Sequence, residues 1–184
     1  MAVAQNDAKH LFYLSGELNL GNYVGLDFGL NYVLNETYAF KLGFTGNIRE
    51  PVSEPEDYLS GLVSVLSFGT TNPYDHFLTT RADFGRMINL NQKKTIRLNL
   101  AVGLGYTIIK EPINWQLRVF EGISFDSNYT FDYNSYGTLS LIINPKIEFP
   151  ISHIFGFSIS PMLQINKDRT YIGIGIGSIV GKLK

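Results

Sequence analysis

The sequence contains no cysteine, and it has few other residues of the kinds that carry chemistry. Without cysteine there is no disulfide, no thiolate nucleophile and no cysteine-ligated metal, although the cellular compartment stays open. Only three His are present, and the net charge of −1 excludes the basic surface that nucleic-acid binding requires. No uninterrupted apolar run approaches the roughly 18 residues of a transmembrane helix, but the strands of a membrane barrel would escape such a search.

The sequence has instead a two-residue rhythm of apolar residues. They alternate with polar residues or glycines in one segment after another, most clearly over 23–34 and 95–109. Because side chains on a strand alternate between faces, each segment has one apolar face and one polar, glycine-rich face. The pattern predicts an all-β fold, an eight-stranded antiparallel up-and-down transmembrane β-barrel whose outside contacts lipid.

The predicted strands lie at about 11–20, 23–34, 37–48, 77–90, 95–109, 137–149, 154–165 and 170–181. Their connections alternate between the two ends of the barrel, and both long excursions, 49–76 and 110–136, fall at the same end. Outer-membrane barrels have short periplasmic turns and long extracellular loops. We therefore predict two long extracellular loops.

The first excursion contains a pattern typical of a short helix at 53–68. Ser53 and Glu56 form a capping-box pair, and apolar residues follow at helical spacing: Leu59, Leu62, Val63 and Leu66. A helix or an irregular loop is expected here, and a ninth strand at 58–68 is the alternative. Nine strands would scatter the long loops between both ends of the barrel.

Three residues disturb the predicted strands. Pro145 and Pro161 fall inside strands six and seven, and a closed barrel has no edge to hold them. Either each proline lies at a bulge, or the membrane-spanning part of these strands is shorter. Arg86 falls on the lipid face near the periplasmic end, where its side chain can reach the headgroups.

Charged residues recur on the polar face of the strands. Four acids and four bases are found there: Glu17, Asp27, Asp83 and Glu148, with Lys41, Arg81, Arg97 and Lys146. Buried charges are tolerated when they are paired, and an eight-stranded barrel is just wide enough for its own side chains. We predict a lumen filled by ion pairs, without an open pore. A soluble lipocalin-like barrel, with its apolar face inward around an apolar ligand, uses the same alternation and is the alternative.

The segments YVGLDFGLNYVLNETYAFKLGF, TIRLNLAVGLGYTII and TYIGIGIGSIV resemble the small eight-stranded outer-membrane barrels of the OmpA/OmpX type. In their overall residue pattern they also resemble the outer-membrane β-barrel proteins common in Bacteroidetes. The resemblance covers about 11–181 and implies the outer membrane of a Gram-negative bacterium, with membrane lipid as a partner. One departure is the terminal Gly-Lys-Leu-Lys, where such chains often end on an aromatic residue that the assembly machinery reads.

The N-terminal residues predict export. Ala2-Val3-Ala4-Gln5 has the small-x-small form of a signal-peptidase site. Residues 1–10 are therefore expected to be an exported tail, and residues 11–184 a single barrel domain.

Catalytic and metal-binding patterns are weak. Asp75, His76 and either Ser64 or Ser67 are the residue types of the acid, base and nucleophile of a lipid-modifying enzyme. Adjacent residues on an extended chain point apart, however, so Asp75 is poorly placed to orient His76. The acidic residues of the first excursion lack EF-hand spacing. We predict no enzyme activity, no metal and no cofactor, and keep the lipid-modifying enzyme as a remote alternative.

The second excursion is rich in aromatic residues, which are candidates for contact with a partner: Trp115, Phe120, Phe125, Tyr129, Phe131 and Tyr133. Exposed aromatic side chains mark binding surfaces. The alternative is a β-hairpin extension that packs on itself. We predict a structural or interaction protein whose loops contact a protein, a glycan or a neighbouring barrel.

Overall fold

In the described part of the chain, nine antiparallel strand segments form one sheet that closes on itself. The computed structural model describes residues 10–61, 64, 72–118 and 127–184. The strands are β1 His10–Gly21, β2 Val24–Leu34, β3 Tyr38–Arg49, β4 Asp75–Asn89, β5 Arg97–Leu117, β6 Tyr129–Ile143, β7 Lys146–Pro150, β8 Phe155–Ile165 and β9 Thr170–Lys182. β9 pairs with β1, from Phe12 opposite Lys182 to Gly21 opposite Gly173, and this pairing closes the barrel.

Segments β6 and β7 are two halves of one barrel strand. Both pair with β5 on one side and with β8 on the other. The remaining strands pair with their neighbours in chain order. The predicted eight-stranded antiparallel up-and-down barrel is thus confirmed, with its sixth strand interrupted once.

The interruption is where the two prolines meet. Ile143 pairs with Leu163 before it and Ile147 with Ile159 after it, so the register is the same on both sides. Pro145 therefore lies opposite Pro161, and neither has an N–H to donate to the ladder. We call this place the proline gap. It is a break in the ladder rather than a bulge, because no residue is inserted.

The apolar faces of the strands point outward. Leu42, Leu104 and Leu139 are 63%, 69% and 78% exposed, while the polar residues between the apolar ones are buried inside the barrel. The soluble lipocalin-like alternative is wrong, because it requires the opposite orientation. Among the described residues, no helix is both long enough and apolar enough to span a membrane.

The two ends of the barrel differ as predicted. One end carries the short connections 35–37, 90–96 and 151–154, and the other carries both long excursions. The second excursion is shorter than predicted, since β5 continues to Leu117 and β6 already begins at Tyr129. These strands continue as a hairpin beyond the barrel. Their register shifts between Ile113 and Gln116, where Asn114 has a left-handed backbone with a φ of 56°.

For 53–68 a helix or an irregular loop is expected, and the structure shows an irregular loop over 53–61, whereas Ser64 has helical backbone. Residues 53–61 are turns and irregular backbone, without helix or strand, and most of 62–71 lies outside the described residues. No helix begins at Ser53, whose hydroxyl donates to the carbonyl oxygen of Pro112 at 2.7 Å and accepts from Trp115 Nε1 at 3.2 Å. Residues 1–9 also lie outside the described residues, so the exported tail stays a prediction, and His10 already belongs to β1.

Candidate functional site

The lumen contains all eight charged residues predicted for it. At its centre, Asp27 accepts from Lys41 Nζ at 2.5 Å and from Arg81 Nη2 at 2.8 Å. Thr45 also donates to the Asp27 carboxylate, at 2.6 Å. Arg81 Nε lies 3.4 Å from Asp83, so Arg81 is held between two carboxylates. Because β2, β3 and β4 are neighbours, the alternation of faces places these side chains side by side.

A second group of lumen residues joins β1 to β7 and β8, which are not its neighbours in the sheet. Lys146 Nζ lies 2.8 Å from Glu17 Oε1. The hydroxyls of Ser158 and Ser160 each donate to Glu17 at 2.5 Å. Glu17 therefore has three partners, as a buried carboxylate requires.

The third group lies toward the short-turn end. Arg97 donates to Glu148 Oε2 through Nε at 3.1 Å and Nη2 at 2.5 Å. Its Nη1 donates to the carbonyl oxygen of Leu183 at 2.7 Å. The Tyr13 hydroxyl donates to Glu148 Oε1 at 2.6 Å. Both carboxylate oxygens of Glu148 and all three guanidinium nitrogens of Arg97 therefore have hydrogen-bond partners.

Glycines on the inner face make room for these side chains. A Cβ at Gly29 would lie 2.4 Å from Lys41 Cε, and a Cβ at Gly103 would lie 2.0 Å from Asp83 Oδ1. Larger residues would clash there with the charged layer. The glycine-rich polar face that the sequence shows is therefore the wall of a crowded interior.

Apolar clusters close the lumen above and below its charges. Toward the short turns lie Leu11, Tyr13, Val33, Ala39, Met87, Ile179 and Leu183. Toward the long loops lie Tyr23, Phe77, Ile109, Ile142, Met162 and Tyr171. Between this outer cluster and the charges, Gln164 donates to Thr79 and Thr107 at 2.9 and 2.8 Å. The described part of the lumen is thus filled with side chains along its length.

The outer surface has an apolar belt bounded by cations. Among the described strand residues that face outward, the charged ones are Arg86 and Lys182 near the short turns and Lys110 near the long loops, with His76 beside it. Ten residues separate His76 from Arg86 on β4. This is about 33 Å along the strand, and a tilt of 35–45° reduces it to about 25 Å, the height of an outer-membrane apolar band. The position predicted for Arg86, on the lipid face near the short turns, is therefore where the structure places it.

Beyond the long-loop boundary, the first excursion packs against the hairpin of β5 and β6. The backbone N–H of Leu59 donates to Asn128 Oδ1 at 2.7 Å, and the backbone N–H of Asn128 donates to the carbonyl oxygen of Leu59 at 3.2 Å. Asn128 Nδ2 donates to the Asp57 carbonyl, and the Tyr129 hydroxyl to Asp57 Oδ1, both at 2.8 Å. We call this unit, residues 50–61 with 111–117 and 127–135, the loop platform.

Four of the six predicted loop residues lie in one aromatic row of the loop platform. Ring centroids are 6.2 Å apart for Trp115 and Tyr129, 5.0 Å for Trp115 and Phe131, and 5.5 Å for Phe131 and Tyr133. Tyr58, which the sequence did not single out, joins the row 5.6 Å from Trp115. The other two predicted residues, Phe120 and Phe125, lie outside the described residues.

The row is only partly exposed. Tyr133 is 43% exposed, whereas Trp115, Tyr129 and Phe131 are half-buried. Trp115 Nε1 also donates to the Ser53 hydroxyl at 3.2 Å. The aromatic residues therefore hold the two excursions together and still present one edge to the outside.

The residues of the remote catalytic alternative are not brought together in the described structure. Asp75 points inward and accepts from Arg49 at 3.0 Å, while His76 points outward against the Tyr133 ring at a centroid distance of 6.0 Å. The Ser64 hydroxyl bonds to Asn72, and Ser67 lies outside the described residues. Within the described ranges, no group of three or more His, Asp or Glu is arranged to hold a metal ion.

Solved structures with the same fold are known, although no family model and no curated protein matches this chain. The N-terminal β-barrel domain of Pseudomonas aeruginosa OprF is 11% identical, with coverage of 95% of this chain and 98% of that one and a TM-score of 0.53. The Yersinia pestis outer membrane protein Ail is 13% identical, with 94% and 99% coverage and a TM-score of 0.50. Neisserial surface protein A is 6% identical, with 94% and 95% coverage and a TM-score of 0.51.

At this level of identity the likeness shows the fold, which is that of the small outer-membrane β-barrels. The outward apolar belt is the surface that such a barrel presents to lipid. The chain is therefore an integral outer-membrane β-barrel, as the resemblance to the OmpA/OmpX type predicts. The Bacteroidetes character stays a prediction.

Proposed function

We propose that this barrel is a non-conducting interaction protein, which uses its closed wall as a rigid support and its loop platform to bind an extracellular partner. The observation that carries the proposal is the docking of the first excursion on the β5–β6 hairpin. Neither the hydrogen bonds between Asp57, Leu59 and Asn128 nor the aromatic row contributes to closing the barrel. Loops on a rigid scaffold commonly carry binding.

The loop platform stands clear of the membrane. β5 continues for seven residues beyond Lys110, from 111 to 117, which extends it by about 23 Å along the strand. A partner at the cell surface can reach a hairpin of this length. Because the contacts between the loops order the platform in advance, binding would cost less conformational entropy than it would on free loops.

The charge of the loop platform favours some partners over others. Six acids lie on its described residues, and one of them, Glu111, pairs with Arg169. The other five have Arg49 and Lys110 at their base: Glu50, Glu54, Glu56, Asp57 and Asp132. Partial burial raises the pKa of Glu54, and the nearby Glu50 carboxylate raises it further. An acidic surface with an aromatic edge suits a basic protein surface or an uncharged glycan, whose sugar rings stack on aromatic side chains. It repels a polyanion.

Replacement of residues 113–133 by a short Gly-Ser turn tests the proposal. The variant should remain in the membrane after carbonate extraction and keep its heat-dependent gel mobility, because the strand register inside the belt is untouched. Binding of cells that display the protein to arrays of basic proteins and neutral glycans should be lost. Unchanged binding would contradict the proposal, and failure to fold would show that the hairpin belongs to the scaffold.

Point variants separate partner contact from loop docking. Tyr133→Ser removes the exposed edge of the row and should weaken binding at least tenfold while the barrel stays folded. Tyr38→Ser removes a tyrosine of similar exposure, 48%, at the short-turn end and is the matched control. Equal binding by both variants would contradict a role for the aromatic edge. No catalytic step is part of this proposal.

A further inference from the structure

Two basic side chains lie next to each other on the outer face of the barrel, at its long-loop boundary. His76 on β4 and Lys110 on β5 are paired in register. Both face outward, because they share the face of Leu78 and Ile108 on their strands. The ring of Tyr133 adjoins both of them, 6.0 Å from the His76 ring and 5.9 Å from Lys110 Nζ.

Lys110 forms no ion pair with any residue that the structure describes. The nearest acids in the sequence point into the barrel, where Glu111 accepts from Arg169 at 2.6 Å and Asp75 from Arg49 at 3.0 Å. At the edge of an apolar belt, a cation without a carboxylate partner among the described residues is available to pair with an anionic group of the surrounding membrane. The Tyr133 ring contributes a weaker attraction.

We propose that His76, Lys110 and Tyr133 form a binding site for the phosphate of an outer-leaflet lipid headgroup. The ammonium group supplies charge, the imidazole supplies a hydrogen-bond donor, and the tyrosine ring walls the site on its extracellular side. The chemistry required of the ligand is a phosphate group at the depth where the apolar belt ends. The site shares Tyr133 with the loop platform and includes none of its acidic residues.

The position of the site favours lipid over free phosphate. Directly below it on the same face lie Leu78 and Ile108, the latter 40% exposed, and Tyr106, 55% exposed. A lipid can therefore place its phosphate on Lys110 and its acyl chains on the belt at the same time. Inorganic phosphate can contact only the polar half of this surface, because it has no acyl chains to place on the belt.

The test compares the reactivity of lysine amines in nanodiscs of two compositions, phosphatidylcholine alone and phosphatidylcholine with phosphatidic acid. Acetylation of each lysine is followed by mass spectrometry. Any lysine near an anionic lipid surface gains about 1 kcal/mol, which slows acetylation about fivefold, so with phosphatidic acid the acetylation of Lys110 should slow by more than this general factor. Lys167, exposed in the turn at the same end, and Lys182, facing outward at the opposite boundary, are internal controls.

The inference holds if the protection of Lys110 exceeds that of both controls and weakens in His76→Gln. Equal protection of Lys182 would overturn it, because the effect would then be the general attraction of boundary cations to an acidic membrane. Inorganic phosphate, added to phosphatidylcholine nanodiscs, should protect Lys110 less than twofold. Protection equal to that by phosphatidic acid would overturn the assignment to lipid.

Discussion

Arg97→Leu tests whether the lumen is a dry, paired interior. Arg97 is 3% exposed and Glu148 is fully buried. The substitution removes two hydrogen bonds to Glu148 and one to the carbonyl oxygen of Leu183. Glu148 would keep its bond from the Tyr13 hydroxyl and would lose its positive partner.

The expected cost follows from leaving a carboxylate buried without a counter-charge. Breaking a buried pair by removal of one partner costs about 3–5 kcal/mol of unfolding free energy. With a urea m-value of about 2 kcal/mol/M, the midpoint should fall by about 2 M. Replacing both partners, in Arg97→Leu/Glu148→Leu, should restore most of this loss, because no orphaned charge is left.

The assay is urea unfolding in lipid vesicles, followed by the heat-dependent shift in gel mobility. Lys94→Leu is the matched control, since Lys94 pairs with Glu36 at the short-turn end and its side chain is 45% exposed. A solvent-exposed pair contributes no more than about 1 kcal/mol. If Arg97→Leu cost as little as Lys94→Leu, Glu148 would be reached by water, and the reasoning for a filled lumen would be refuted.

Four further predictions concern the lumen, the wall and the loops. Gly103→Ala should lower the free energy of unfolding by about 1–3 kcal/mol in the same urea assay, because its Cβ would lie 2.0 Å from Asp83 Oδ1. Gly16→Ala is the control and should unfold like the wild type, because its Cβ would have no contact closer than 3.7 Å. Planar-bilayer recordings should show no stable open-channel current, since apolar clusters close both ends of the lumen; sustained large openings would contradict this. Amides beside the proline gap should exchange with deuterium faster than the other amides of the belt, and uniform protection would count against the gap. The hydrogen bond to Asp57 raises the pKa of Tyr129, so this bond contributes stability below pH of about 10 that is lost as the pH rises through the raised pKa. Emission of the single tryptophan should then shift to longer wavelength, and Tyr129→Phe should lack that step.

The local pattern of residues was sufficient to predict the strands and their faces. Alternation assigned Glu17 and Asp27 to the same inner surface as Lys41 and Arg81, because a period of two depends only on residues adjacent in the chain. The parity of the connections likewise separated short turns from long loops. The lumen charges were found in this way without any knowledge of which strand pairs with which.

Other features depend on residues far apart in the chain. Tyr13 and Glu148 meet only because the barrel closes, and the opposition of Pro145 and Pro161 depends on a register that two isolated strands do not encode. The capping-box pattern at Ser53 was misleading because its hydroxyl oxygen accepts from Trp115 Nε1 on the hairpin, 62 residues away, instead of from a helical N–H. Local propensity was overruled there by a tertiary contact.

By itself, then, the sequence determined that the chain forms a barrel of two-faced strands with eight charges on one face. Alternation is symmetric between inside and outside, so a lipid-facing and a soluble barrel share the same pattern. Only the tertiary structure decided which face of the strands points into the lumen, because the inward side chains must both fill the closed barrel and pair their charges. It also decided that the two long excursions form one docked platform, since loop contacts arise from the three-dimensional proximity of segments that have no shared periodicity.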